Sequence, residues 1–241
     1  MSETRKTALV VSAHSADFVW RAGGAIATHA ERGFAITVIC LSYGERGESA
    51  KLWRLPGMTL ERVKAERQKE AEAAAKHLGV ADIQFWDLGD YPITLSTESL
   101  YRLVDVHRAI HPAFVLSHSK NDIYNHDHPA VTDFAQHARI LAQAHGHNPH
   151  QKVAGAPPFF QFEPHQPEQC DWKPDVLLDI TSVWDKKRAA IECMAGQEHL
   201  WDYYTRVAQQ RGAQAARNSD KLIKYGEGYV AVFPHVVETL V

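Results

Sequence analysis

An apolar run from Ala8 to Ala13 ends abruptly in His14, with Asp17 three residues on and a Gly23-Gly24 pair beyond it. An imidazole and a carboxylate at that spacing, on the turn after a strand, can bind one cation, because open α/β sheets gather ligands at the carboxyl ends of their strands. A third donor is available in Tyr124-Asn125-His126-Asp127-His128-Pro129, where a helical pattern follows His128 and Asp127 can orient a neighbouring ligand. His14, Asp17 and His128 are therefore the candidate metal ligands, with His126 read as a supporting or surface residue. Two imidazoles and one carboxylate leave a fourth position for water or substrate, which favours Zn2+ over the oxygen-seeking Mg2+ and Ca2+; manganese, cobalt or iron also fits.

Proton transfer needs further groups. Glu48 lies in Ser42-Tyr43-Gly44-Glu45-Arg46-Gly47-Glu48-Ser49, a glycine-punctuated loop directly after the second expected strand and at the same sheet edge as His14. It is the candidate acid or base, with Glu45 as its competitor. In Phe159-Phe160-Gln161-Phe162-Glu163-Pro164-His165 an aromatic, strand-like run delivers His165 into a proline-interrupted loop, where an imidazole exchanges protons near neutral pH; Glu163 is the reserve. Arg21, Arg46, Lys51 and Arg54 are candidates for holding carboxylates. Arg67 reads as structural.

The elements that must position these groups alternate. Strand patterns cover Thr7 to Ala13, Ala35 to Leu41, Ile83 to Trp86, Phe114 to Ser117, Val176 to Ile180 and Tyr229 to Phe233. Between and after them lie helical patterns at Ala22 to Arg32, Leu60 to Leu78, Glu98 to Ile110, from His128 to about Ala144, Val183 to Met194 and Glu198 to Ala215. Such alternation predicts an α/β fold with a mostly parallel sheet. The irregular stretches Tyr43 to Met58 and Gly146 to Lys173 are the expected active-site loops.

A chain of 241 residues with 45% hydrophobic content can bury one sizeable core, and a single domain over residues 1–241 is expected. The formal charge of −3 comes with no long basic run, which argues against nucleic acid as a partner. His14 and Asp17 interrupt the first apolar run before it could serve as a secretory core or membrane span, so a cytoplasmic location without membrane contact is expected. Cys40, Cys170 and Cys193 have no C-x-x-C spacing and read as buried free thiols. Trp184, Trp201, Tyr203 and Tyr204 fall in helical stretches and read as core or subunit contacts. A homo-oligomer is expected.

These residues resemble the LmbE-like or PIG-L superfamily of zinc-dependent N-acetylglucosaminide deacetylases. Its signature is Ala-His-Pro-Asp-Asp followed by Gly-Gly, against Ala13-His14-Ser15-Ala16-Asp17 and Gly23-Gly24 here, and its third ligand closes an Asp-His pair matching Asp127-His128. Further echoes are Arg67-x-x-Glu70 running into Leu78-Gly79, Asp179-Ile180-Thr181 followed by Lys187, and Gln197. The resemblance implies a Rossmann-like three-layer sandwich with a mostly parallel central sheet. It also implies that Ala16 replaces the deacetylases' general base. The variant run from His14 to Gly24 is similar to the branch of 4-oxalomesaconate hydratases of gallate and protocatechuate breakdown. That implies a zinc-dependent hydro-lyase whose partner is a small unsaturated oxo-tricarboxylate, with Glu48 and His165 dividing the proton transfers; N-acetyl sugar deacetylation is the alternative.

Overall fold

The computed structural model describes residues 5–234 and 236.

Seven strands form one sheet: β1 (Thr7–Ser12), β2 (Ala35–Cys40), β3 (Asp82–Phe85), β4 (Val115–Ser117), β5 (Phe159–Phe162), β6 (Val176–Asp179) and β7 (Gly226–Ala231). Their order is β3-β2-β1-β4-β5-β7-β6. β1 to β5 pair in parallel, with Thr7 opposite Ala35 and Leu9 opposite Val115, whereas β7 runs antiparallel to both β5 and β6. The chain steps from β1 to β3 on one side of the sheet and from β4 onwards on the other, so strand order switches at the β1/β4 boundary, where α/β sheets open a crevice.

Helices cover both faces, which is why the central strands read as unbroken apolar runs rather than alternating ones. Ala8, Val10, Ile36 and Val38 pack under α1 (Asp17–Glu31), α3 (Leu60–Leu78), α6 (Trp184–Glu192) and α7 (Trp201–Arg217). Leu9, Val11, Ile39 and Val115 pack on the other side under α4 (Thr97–Ile110) and α5 (Asp127–Gln143). The three layers match the expected sandwich. A one-turn helix, α2 (Ala50–Trp53), lies within the first expected loop. β5 lies within the second.

Local signals set the helix ends. Thr59 accepts a hydrogen bond from the Arg62 N–H at the start of α3, and the Ser96 and Ser99 hydroxyls cap α4 reciprocally. α1 begins at Asp17 rather than at the expected Ala22. Glycines lower helix propensity, but tertiary contacts override that here: the Glu227 carboxylate on β7 accepts the Gly24 and Ala25 N–H groups at 2.7 Å each. Lys187 and Tyr229 bond the same carboxylate at 2.6 Å. A Cβ on Gly24 would lie 2.5 Å from Ile180 and 2.9 Å from Glu227, so the glycine allows the buried carboxylate to reach the helix. This anchor holds the helix that carries Asp17 and Arg21.

Candidate metal centre and active site

His14 stands two residues beyond the end of β1, and the turn holding it is tied down on three sides. The Ser12 hydroxyl donates to the His14 carbonyl at 2.7 Å, the Ala13 N–H donates to His118 Nε2 at 2.9 Å, and the His14 N–H donates to Asp17 Oδ2 at 2.9 Å. Because α1 starts at Asp17, Asp17, Trp20 and Arg21 share one helical face and line the same cleft. His128 arrives from the first turn of α5, and Glu48 from the loop after β2.

The three expected ligands converge. His14 Nδ1 lies 3.1 Å from Asp17 Oδ2, and His128 Nε2 lies 3.5 Å from the same oxygen. Glu48 Oε1 is 3.2 Å from His14 Nδ1, and one donor atom from each of the four residues falls within 4.8 Å of the others. A tetrahedral ion with bonds of about 2.1 Å places its ligand atoms about 3.4 Å apart, so the donor set has zinc-like spacing. His128 Nε2 and Glu48 Oε2 are buried without a hydrogen-bond partner among the described residues. Buried polar atoms are almost always satisfied; a cation would satisfy His128 Nε2 and leave Glu48 Oε2 to meet a water or substrate beside it. The residues fit a divalent ion.

Carboxylates hold each imidazole from behind. His14 Nε2 lies 3.2 Å from Asp90 Oδ1 and 3.4 Å from Asp127 Oδ2, while His128 Nδ1 lies 2.8 Å from Asp122 Oδ2. Each contact fixes the ring so that its other nitrogen faces Asp17. Asp127 is fixed in turn by the Tyr91 and Ile93 N–H groups, and Asp90 by those of Arg46 and Gly47. Burial alone would drive His14 towards its neutral form, but Glu48 and the bonds from Asp127, Asp17 and Asp90 outweigh it and raise its pKa well above the usual value. His118 stacks on His128 at 4.0 Å between ring centroids, and burial, with the charge of His128, holds its pKa well below the usual value. His118 is thus a neutral ring accepting the Ala13 N–H.

An open cleft of about 540 Å³ leads to these donors. Glu48, His165, Arg21, Tyr91, Gln197 and Tyr204 are among its walls. His165 packs against Tyr203 with ring centroids 4.5 Å apart, and burial together with the nearby Arg21 charge lowers its pKa. Arg21 is buried, 3.4 Å from Asp17 and bonded to the Glu163 carbonyl at 2.9 Å, and its charge persists. The two reserve carboxylates are otherwise engaged. Glu163 forms a two-pronged ion pair with Arg211 at 2.5 and 2.8 Å, and Glu45 accepts the Tyr43 N–H and faces Lys64. His126 is exposed at the N-terminus of α5, and Arg46 is exposed outside the cleft lining. Arg67 is structural as expected: fully buried, it bonds Glu70 and the Gln197 side chain at 2.7 Å each, presenting Gln197 to the cleft. Trp184 packs in the core against Tyr225, whereas Tyr204, stacked on Trp20, also faces the cleft.

The family model for PIG-L, the GlcNAc-PI de-N-acetylases, matches residues 9–139. The chain belongs to the PIG-L family. Within it, a 4-oxalmesaconate hydratase of Pseudomonas putida KT2440 is 63% identical over 244 aligned residues, spanning 100% of this chain and 94% of that protein. The crystal structure of GalB, the 4-carboxy-2-hydroxymuconate hydratase of Pseudomonas putida KT2440, superposes with a TM-score of 0.95 at 63% identity, over 98% of this chain and all of that one. A PIG-L-like fold also links the chain to the N,N'-diacetylchitobiose deacetylase of Pyrococcus horikoshii, with a TM-score of 0.78 at 21% identity over 94% of this chain and 84% of that one.

Four residues around the metal centre were not anticipated from the sequence: Asp90, Tyr91, His118 and Asp122. Two carried usable signals. His118 ends β4 as His14 ends β1, and Asp90 follows Gly89 in a loop at a strand's carboxyl end, the pattern that singled out Glu48. Tyr91 and Asp122 had no distinguishing spacing.

Proposed function

We propose that this PIG-L protein is a metal-dependent hydro-lyase acting as one catalytic domain, which adds water across the double bond of 4-oxalomesaconate to give 4-carboxy-4-hydroxy-2-oxoadipate. The observation that carries this reading is the 63% identity to a hydratase along the whole chain, combined with Ala16 at the deacetylase base position. The Ala16 methyl group is fully buried within the apolar cluster under α1 and cannot take a proton. 4-Carboxy-2-hydroxymuconate is the enol form of 4-oxalomesaconate, so the two relatives' names describe one tautomeric tricarboxylate.

His14, Asp17 and His128 would hold Zn2+ or another divalent ion, and the ion would supply positive charge to polarise water and the substrate's oxygens. Arg21 stabilises the negative charge that builds on the conjugated oxo-acid as water adds, from a buried position where solvent does not screen it. Glu48, beside His14 and on the cleft wall, takes the proton from the attacking water. His165 returns a proton to carbon. Its ring is neutral in the free protein, and the arriving carboxylates favour its protonated form electrostatically. Gln197, held by Arg67, orients a substrate oxygen. The setting in aromatic-acid breakdown and in the cytoplasm belongs to the same proposal, as does assembly into a homo-oligomer. Among the described residues no helix is long and apolar enough to cross a membrane.

The test is a substrate panel with metal-loaded protein. Loss of absorbance from 4-oxalomesaconate without acetate release from N-acetylglucosamine derivatives is the expected result; acetate release with an unchanged oxo-acid spectrum would establish a deacetylase instead.

A further inference from the structure

A second cavity, of about 720 Å³, opens beyond Glu48 and Gln197, and these two side chains line both it and the metal-site cleft. They form a waist between two chambers. The first chamber holds one buried cation, Arg21. The second is lined by Lys51, Arg54 and His199, brought together by α2 and the 3-10 turn Ala195–Leu200. That turn is tied to the family's Arg67-Glu70 pair, since Glu70 accepts the Gly196 N–H at 2.7 Å and Arg67 bonds Gln197.

The basic side chains of the second chamber differ in their engagement. Lys51 is matched by Glu198 at 2.5 Å and by the Ala195 carbonyl at 3.1 Å. Among the described residues neither the Arg54 guanidinium nor the His199 ring has a hydrogen-bond, ion-pair or ring partner. Both are exposed to the cavity, and an unmatched guanidinium fork in the same chamber as an imidazole suits a carboxylate, which can accept two parallel bonds. The intervening Glu48 repels a carboxylate that stops at the waist. A ligand with an anionic group at each end is thereby favoured over a neutral sugar of the same length.

We propose that Arg54 and His199 form a carboxylate receptor for the end of the substrate farthest from the metal centre, so that Arg21 and Arg54 together select a polycarboxylate spanning the waist. This rests on the hydratase reading above and adds to it a specificity site outside the metal-site cleft.

The test pairs kinetics with direct binding on metal-loaded protein. Arg54→Gln and His199→Gln are assayed with 4-oxalomesaconate, and calorimetry compares propane-1,2,3-tricarboxylate with glutarate, its counterpart lacking the middle carboxylate, and with butyrate, which carries a single one. Loss of a charge-assisted pair should raise KM about tenfold or more in Arg54→Gln with kcat within about twofold. Tricarboxylate and glutarate binding should weaken by a similar factor, butyrate binding should not change, and Arg54→Lys should recover part of the loss. A KM within about twofold of the parent in Arg54→Gln, or equal weakening of all three ligands, would overturn the proposal. If the parent fails to hydrate the oxo-acid but its polycarboxylate binding still depends on Arg54, the hydratase reading falls and the receptor stands.

Discussion

The Asp122 carboxylate lies 2.8 Å from His128 Nδ1, leaving His128 Nε2 buried, without a hydrogen-bond partner among the described residues and 3.5 Å from Asp17. The carboxylate chooses which nitrogen carries the proton and so which one has a free lone pair for a cation. Asp122→Asn should therefore leave the fold intact and weaken divalent-ion affinity about 10–100-fold. Competition with a coloured chelator measures this. Parent-like affinity would show that the contact does not orient the ligand.

Glu48 and His165 approach the cleft from the loops after β2 and β5. Glu48→Gln and His165→Ala should each lower kcat by about a hundredfold to ten-thousandfold while metal content stays at the parent level. Turnover at saturating substrate, with metal measured on the same samples, is the check. Near-parent kcat in either variant removes that residue from proton transfer; Glu163 and Glu45 are poor replacements because both are already bonded.

Much of this centre was legible in the residues. His14 and Asp17 announced themselves because they break an apolar strand, and the alternation of elements required that break to fall at a sheet edge. Leu60–Leu78 was legible end to end from its run of Ala, Glu, Lys and Arg and the glycine that stops it. The orienting carboxylates were not. Asp90 and Asp122 act across 76 and 6 residues of chain respectively, and which carboxylate meets which ring is decided by how β3 and β4 deliver their loops. The early start of α1 was hidden because Ala16 at its N-cap carries no capping side chain, and the Glu227 carboxylate that anchors the helix comes from more than 200 residues away.

That anchor is testable through stability. A Cβ on Gly24 would press into Ile180 and Glu227, so Gly24→Ala should destabilise the protein by about 1–3 kcal/mol, although alanine favours helices. Chemical denaturation measures the change. A stabilised variant would mean that the Glu227 contact does not constrain α1.

His107 on α4 is buried with neither ring nitrogen bonded among the described residues, and burial, with a smaller contribution from Arg139, lowers its pKa from 6.5 to about 4. The unfolded chain takes up this proton near pH 6.5 and the folded chain only near 4. Stability from this group is thus present above about pH 6.5 and lost as pH falls through about 4, on the order of 3 kcal/mol in all. His107→Leu should flatten that part of the stability profile relative to the parent. Denaturation midpoints measured from pH 7 to 4 are the readout, and an unchanged slope would place the His107 ring in contact with water.

The most direct test of the central claim is the rate of 4-oxalomesaconate hydration as Zn2+ is added back to chelator-stripped protein. The expected result is no turnover in the stripped protein and a rate that rises linearly and saturates at about one ion per chain, as a single site built by His14, Asp17 and His128 requires. Full hydration by stripped protein, or saturation unaffected by His128→Ala, would contradict it.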